Sequence, residues 1–247
     1  MKPLETIDTS RLPWVSIAKQ LVPPILWGLL YKWLIVRNIP QSELYKPHYS
    51  PWLNHEFQEL YAHVSNHTLV SVQSCWTLHQ LLAQSLNVPG DVIEAGVFKG
   101  GTARLLQLGL QPGRRLFLLD SFEGMKHVSD NDRHKAGDFS DTSLESVRSF
   151  LGNDPSIRFI KGWIPKTFEK VDSNNFCFAH IDLDLYQITS DLLHFIYPRL
   201  VSGGIIVLDD YGYASCPGAR EAVDEFFSDK PERILTMTTA QAIIIKV

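Results

Sequence analysis

Two apolar runs in the C-terminal half of the chain end in aspartates. Asp182 and Asp184 follow the run that begins at Phe176, while Asp209 and Asp210 follow a second run. One aspartate after a strand is usually a turn former or a helix cap. Four of them at the ends of two neighbouring parallel strands would meet at one sheet edge and repel one another unless a cation relieved them. The pattern therefore predicts a cation site.

A glycine-rich turn follows an earlier apolar run and opens a helical stretch. Its glycines are Gly96, Gly100 and Gly101, so the spacing is GxxxGG and differs from the dinucleotide pattern GxGxxG. Lys99 precedes the glycine pair, which also differs from the phosphate-binding P-loop. Glu94 would repel a pyrophosphate but would accept hydrogen bonds from an ammonium group. These residues favour a ligand with a cationic head.

The next predicted strand ends at Asp120, which Ser121 follows. An acidic residue at that position binds ribose hydroxyls in many nucleotide-binding sheets. Together with Glu94, it points to a nucleoside that carries a positively charged amino-acid tail. S-adenosylmethionine is such a molecule.

The elements that must position these residues alternate between strands and helices from residue 90 onward. This order predicts an open α/β fold, with a mostly parallel seven-stranded sheet, helices on both faces and an antiparallel hairpin at its C-terminal edge. The predicted strands are Asp91–Ala95, Arg115–Asp120, Ile157–Lys161, Phe176–Asp182, Ile205–Asp209, Arg233–Met237 and Ala242–Val247. The predicted helices are Thr102–Leu110, Leu144–Leu151, Thr167–Val171, Ile188–Leu200 and Gly218–Phe227.

Residues 1–89 are expected to form an N-terminal helical extension, before a cofactor-binding domain at residues 90–247. Within the extension, residues 12–36 are apolar and rich in tryptophan. Pro23 and Pro24 interrupt this segment, so it is not a clean membrane span. It could lie on a membrane surface, on the protein's own core or on a second subunit, and these readings stay open.

The composition of the chain limits its binding partners and the cellular compartment in which it is expected. The chain has 247 residues, of which 45% are hydrophobic and 20% charged, as in globular proteins. The net charge of −4 gives no electrostatic reason to expect nucleic acid. Cys75, Cys177 and Cys216 form no zinc-type spacing, and we interpret the first two as small buried side chains. We expect a cytoplasmic homodimer, with the membrane surface left open.

Five segments carry a resemblance to a known family. They read, in chain order, VIEAGVFKGG, LDSFEGM, KGWIPKTF, HIDLDLY and LDDYG. The region from Thr68 to the C-terminus is similar to the macrocin O-methyltransferase (TylF-like) family. The resemblance implies a Rossmann-like class I methyltransferase that uses S-adenosylmethionine and Mg²⁺ to methylate a sugar hydroxyl.

The family resemblance also implies a role for each motif. The methionine end of the cofactor would lie against Glu94 and the turn from Gly96 to Gly101, the ribose at Asp120 and Ser121, and the adenine at Gly162 and Trp163. Further cofactor contacts are implied for Thr68, Leu69, Val70 and Asp182. Asp182, Asp209 and Asp210 would bind Mg²⁺, and Asp184 would act as the general base.

The predicted reaction is methyl transfer to one hydroxyl of a vicinal diol, on a sugar of a natural product or glycolipid. A catechol-type phenol and a non-catalytic, membrane-docked protein that binds S-adenosylmethionine are the alternatives. His180 competes with Asp184 as the base but is interpreted as a core histidine. The polar segment 126–142 is interpreted as an active-site lid, in which nothing selects His127 or His134 for a role.

Overall fold

The computed structural model describes Leu26 and residues 50–126, 128 and 133–247. Within these ranges seven strands form one sheet in the order β3-β2-β1-β4-β5-β7-β6. The strands are β1 (Asp91–Ala95), β2 (Leu116–Asp120), β3 (Ile157–Lys161), β4 (Phe176–Ile181), β5 (Leu200–Leu208), β6 (Leu235–Thr236) and β7 (Ala242–Ile245). Strands β1 to β5 are parallel, and β7 runs antiparallel to both β5 and β6. The predicted sheet with an antiparallel C-terminal edge is confirmed.

Six α-helices lie in the described part of the chain. They are α1 (His55–Ala62), α2 (Val72–Ser85), α3 (Gly101–Gly109), α4 (Leu144–Leu151), α5 (Tyr186–Ile196) and α6 (Pro217–Phe227). Polar side chains define several of their starts: Ser71 Oγ accepts from the backbone N–H of Ser74, and Ser143 and Ser146 form a reciprocal capping box. Such caps satisfy N–H groups that the first helical turn leaves unpaired.

The sheet separates two apolar layers because successive side chains on a strand point to opposite faces. Val92 and Phe178 lie in the layer that contains residues of α1 to α4, whereas the next residues, Ile93 and Ala179, lie in the layer beneath α5 and α6. Cys75 and Cys177 are fully buried, as predicted. Burial on both faces explains why the central strands read as continuous apolar runs.

Several predicted elements differ from the observed ones. The predicted helix Ile188–Leu200 is observed as α5, which ends at Ile196, followed by a 3₁₀ turn at Tyr197–Arg199, and the strand predicted at Arg233–Met237 is confined to Leu235–Thr236. Residues Lys166–Lys170 form a 3₁₀ helix rather than an α-helix, since the segment is only one to two turns long. Strand β5 begins at Leu200, five residues before the predicted start, because Leu200 pairs with Phe176 ahead of an irregularity in the register. Gly203 and Gly204 lie at this irregularity, and their presence made the segment resemble a turn.

A compact unit extends from Pro51 to Val247. Helices α1 and α2 therefore belong to the same core as the sheet, with Phe57, Leu78 and Leu82 in its first apolar layer. The domain boundary predicted at residue 89 stays a prediction. Helices α1 and α2, which precede that residue, pack in the same core as the strands that follow it. The apolar segment 12–36 lies outside the described residues apart from Leu26.

Asp91 connects the amino ends of the first strands. Its carboxylate accepts from the backbone N–H, Nε and Nη2 of Arg115, at 2.9, 3.1 and 2.7 Å, and from Ser173 Oγ at 2.8 Å. Burial alone would raise the pKa of Asp91, but the hydrogen bonds from Arg115 and Ser173 outweigh it and lower the pKa. The network therefore stabilises the fold when Asp91 is ionised.

Replacing Asp91 by alanine should lower the free energy of unfolding by roughly 2–3 kcal/mol, because it removes the acceptor of four partly buried hydrogen bonds. The wild-type contribution should be complete above the unfolded pKa of about 4 and should be lost as the pH falls through the lower folded pKa. Denaturant titration at several pH values measures both effects. Asp172→Ala is the matched control, since Asp172 pairs with the same arginine but is 69% exposed. Equal losses in the two variants would contradict the prediction.

Candidate active site

A cavity of about 520 Å³ lies at the carboxyl ends of the parallel strands. In open α/β sheets ligands bind at this edge, where the strand order reverses, here between β1 and β4. Twelve of the predicted site residues line the cavity: Thr68, Leu69, Val70, Gly96, Asp120, Ser121, Gly162, Trp163, Asp182, Asp184, Asp209 and Asp210. Glu94, Gly100 and Gly101 are not among its lining residues. The structure thus brings together motifs that are more than 100 residues apart in the chain.

The glycine turn allows backbones to approach closely beside the cavity. Gly96 has φ +86°, and a Cβ at this position would lie 1.8 Å from the backbone oxygen of Asp182. A Cβ on Gly101 would lie 2.7 Å from the backbone of His67, which precedes Thr68 on the cavity wall. Gly96 therefore allows the turn after β1 to approach Asp182, which follows β4. Gly101 allows the start of α3 to approach the segment before α2. A side chain at either position would prevent the close approach.

Gly96→Ala should destabilise the protein by more than about 3 kcal/mol, because a left-handed conformation is combined with a collision against backbone. Gly113→Ala is a matched control: Gly113 has the same φ of +86° but its Cβ would meet nothing within 4 Å. That control should lose only about 1 kcal/mol from backbone strain. Thermal unfolding of both variants separates the collision from the strain, and losses of equal size would contradict the close approach.

Asp120 organises the turns on either side of it. Its Oδ2 accepts from the backbone N–H groups of Val97 and Phe98 at 2.6 and 2.9 Å, and its Oδ1 accepts from Phe122 at 2.6 Å. Ser121 Oγ also lies 3.5 Å from Oδ1, so groups of the protein itself approach all of the roughly four acceptor positions of this carboxylate. The contact of Asp120 with a ribose stays a prediction. The sequence did not indicate its structural role, which is to accept hydrogen bonds from the turns on either side of it.

Glu94 and His180 form a fully buried pair behind the cavity wall. Glu94 Oε1 lies 2.8 Å from His180 Nδ1. Burial would lower the pKa of His180, but Asp209 and Glu94 raise it to about 9. His180 is a core residue, as predicted, and its partner is the carboxylate of Glu94. The predicted contact of Glu94 with an ammonium group stays a prediction.

Three carboxylates meet on the cavity wall. One oxygen each from Asp182, Asp184 and Asp210 lies within 4.8 Å of the others. Burial and then the neighbouring carboxylates, Asp210 first, raise the pKa of Asp182 well above its usual range. The pKa of Asp210 is also raised, by burial and then by Asp184 and Asp209. The crowding of these carboxylates fits a hard divalent ion with oxygen ligands, because such an ion would relieve their mutual repulsion.

Asp209 is oriented differently from its neighbours. Its Oδ1 accepts a hydrogen bond of 2.7 Å from Gln241 Nε2, in the turn before β7. Asp184, in contrast, has φ +61°, a conformation that asparagine and aspartate tolerate better than most residues. Its backbone N–H donates to Asp210 Oδ2 at 2.8 Å. The assignment of Asp182, Asp209 and Asp210 as Mg²⁺ ligands stays a prediction. The assignment of Asp184 as the general base also stays a prediction.

The sequence did not select three further residues near this wall. Cys216 and His134 both contact Asp184 Oδ1, at 3.2 and 3.4 Å, and Gln241 holds Asp209. His134 belongs to the polar segment interpreted as a lid, whereas His127 lies outside the described residues. The residues of each contact pair are at least 32 positions apart in the chain, so no local spacing signals these contacts.

A sheet with this strand order, a glycine turn after β1 and aspartates after β4 and β5 defines a class I S-adenosylmethionine-dependent O-methyltransferase. The model of the macrocin-O-methyltransferase (TylF) family matches residues 59–237. The chain belongs to this family.

Individual relatives agree with this assignment. The chain is 31% identical over 178 residues to demethyldecarbamoylnovobiocin O-methyltransferase of Streptomyces niveus, covering 65% of this chain and 67% of that one. Mycinamicin III 3''-O-methyltransferase of Micromonospora griseorubida is also 31% identical, over 181 residues, with 65% and 70% covered. The structure of the O-methyltransferase NovP superposes with a TM-score of 0.64 at 26% identity, covering 73% of this chain and 82% of NovP.

No helix in the described ranges has both the length and the apolar character that crossing a membrane requires. For residues 12–36, packing on a membrane surface, on a second subunit or on the protein's own core stays a prediction, because all of them except Leu26 lie outside the described ranges. The expected homodimer also stays a prediction.

Proposed function

We propose that this enzyme is a Mg²⁺-dependent O-methyltransferase that acts on one hydroxyl of a vicinal diol, on a sugar of a natural product or glycolipid. The observation that carries the proposal is the meeting of Asp182, Asp184 and Asp210 on the cavity wall. The relatives support the substrate class, since one is named for a 4'-O-methylation of a rhamnosyl tetracenomycin and another for a 3''-O-methylation of mycinamicin.

The cofactor would occupy the part of the cavity nearest β1 and β2. Thr68, Leu69 and Val70 line one side of it, and Gly162 and Trp163 line another. Bound S-adenosylmethionine supplies an electrophilic methyl group. The cavity volume of about 520 Å³ is in the range of small-molecule sites, so the residues present fit the cofactor.

The carboxylates would divide two tasks between them. Asp182 and Asp210, with Asp209 beside them, would hold the divalent ion, which supplies Lewis acidity and lowers the pKa of the acceptor hydroxyl. Asp184 would take the proton of that hydroxyl on its carboxylate. Its left-handed backbone and its hydrogen bond to Asp210 orient it toward the same wall. Holding hydroxyl and methyl donor side by side would supply much of the remaining rate enhancement.

The decisive experiment is methyl transfer from isotopically labelled S-adenosylmethionine to sugars with neighbouring hydroxyls, measured against the matching deoxy sugars and a catechol. Transfer should require the intact diol and should stop when EDTA removes the divalent ion. Activity that survives EDTA would overturn the metal part of the proposal. Transfer to the catechol but to none of the sugars would show that the substrate is a catechol-type phenol rather than a sugar.

A further inference from the structure

A second group of potential metal ligands shares Asp184 with the three carboxylates and adds a histidine and a cysteine to it. His134 Nε2, Asp184 Oδ1 and Cys216 Sγ lie within 4.8 Å of one another. The separations are 3.4 Å from nitrogen to oxygen, 3.2 Å from sulfur to oxygen and 3.6 Å from sulfur to nitrogen. We propose that these side chains form a binding site for a zinc-type transition-metal ion, distinct from the proposed Mg²⁺ site.

The 3.4 Å and 3.6 Å separations match the edges of a tetrahedron around zinc, and the sulfur-to-oxygen separation of 3.2 Å is slightly shorter than such an edge. Zinc binds histidine nitrogen and carboxylate oxygen at about 2.0–2.1 Å and cysteine sulfur at about 2.3 Å, so tetrahedral ligands stand roughly 3.3–3.6 Å apart. A hydrogen bond between the thiol and the carboxylate alone would not require the imidazole nitrogen to lie within 3.6 Å of both groups. The fourth corner would remain for water or a substrate atom, as in zinc sites that keep one position open.

The histidine has the outer partner that metal-binding histidines usually have. Asp138 Oδ2 lies 3.4 Å from His134 Nδ1, on the side of the ring opposite Asp184. The same oxygen accepts from the backbone N–H of Lys135 at 2.9 Å, which fixes its position. A carboxylate on the second ring nitrogen orients a histidine so that the first nitrogen faces the metal.

The ligand chemistry separates this site from the all-carboxylate cluster. Thiolate and imidazole suit zinc and its neighbours, whereas Mg²⁺ prefers oxygen ligands. Cys216 is 2% exposed, and the side chains of His134 and Asp184 are each 16% exposed. The site is thus shielded yet continuous with the cavity that all three residues line. On binding, the thiol of Cys216 would release its proton to solvent.

A zinc ion at this site would take an oxygen of Asp184, which is the proposed general base. It would also hold the segment around His134 against the start of α6, where Cys216 precedes Pro217. Zinc would therefore inhibit methyl transfer. This consequence rests on the proposed function, whereas the binding site itself rests on the three side chains.

Cobalt(II) titration of the full chain at saturating Mg²⁺, without cofactor or acceptor, tests the site directly. One equivalent should produce the thiolate-to-cobalt charge-transfer band and the intense visible bands of tetrahedral cobalt, and zinc should displace them. Cys216→Ser should abolish the charge-transfer band, and Asp138→Asn should weaken binding by about tenfold. His63→Ala, which alters a histidine at the end of α1, is the control and should bind as the wild type does. A wild-type chain without the band, or a Cys216→Ser variant that keeps it, would overturn the site.

Inhibition tests the consequence separately. At saturating Mg²⁺, zinc should lower the rate of the wild-type enzyme, and Cys216→Ser should need at least about tenfold more zinc for the same fractional inhibition of its own zinc-free rate. Equal sensitivity of the two proteins would overturn the inhibitory role. The cobalt band needs no turnover, so a failed zinc site and a failed methyltransferase assignment give different results.

Discussion

Asp184→Asn should reduce the rate of methyl transfer by about two to four orders of magnitude, the usual contribution of a general base. Asparagine is the appropriate replacement because it has the same shape and, like aspartate, tolerates the left-handed backbone at this position, where φ is +61°. The fold, the cavity and the affinity for S-adenosylmethionine should therefore remain. The Mg²⁺ affinity should also stay within about threefold of the wild type, because the proposal assigns the ion to other carboxylates.

Initial rates, with calorimetry for cofactor and Mg²⁺, measure these quantities on the same preparations. Asp229→Asn is the control, since Asp229 lies on the surface paired with Lys230. A variant that keeps its rate within tenfold of the wild type would remove Asp184 from the chemistry. A variant that loses Mg²⁺ instead would move Asp184 into the metal site, beside Asp182 and Asp210.

Asp182→Asn should lower both the Mg²⁺ affinity and the rate, each by about 100-fold or more, because a cation that stabilises a developing anion is worth several kcal/mol. Its carboxylate is the most crowded of the group, with the other three aspartates and Glu94 all raising its pKa. Metal titrations and rates at saturating Mg²⁺ measure the two losses.

The stability of Asp182→Asn provides an independent check. Without metal, neutralising one of several repelling buried carboxylates should leave the melting temperature equal to or above that of the wild type. With Mg²⁺, the wild type should gain more stability than the variant, because only a folded site binds the ion. A variant that binds Mg²⁺ as the wild type does would show that other carboxylates hold the ion.

The sequence by itself determined the sheet, the glycine turn and the position of the aspartates. These features are local: strands β1 and β3 and helix α4 have the predicted bounds, because apolar periodicity and capping residues act over a few positions. The rule that parallel strands end at one edge then placed Asp182 near Asp210 without any knowledge of side-chain orientation. Glu94 and Asp120 pointed to S-adenosylmethionine, and the family motifs implied the same cofactor.

Only the tertiary structure decided which way each polar side chain faces and what it contacts. Glu94 faces His180 in the core, Asp209 bonds to Gln241, and Asp184 is approached by His134 and Cys216. Such contacts depend on rotamers and on backbone turns, which the packing of residues distant in the chain selects. Strand periodicity carries no information about them. The sequence therefore predicted a rim of carboxylates, and the tertiary structure decided the partners of each one.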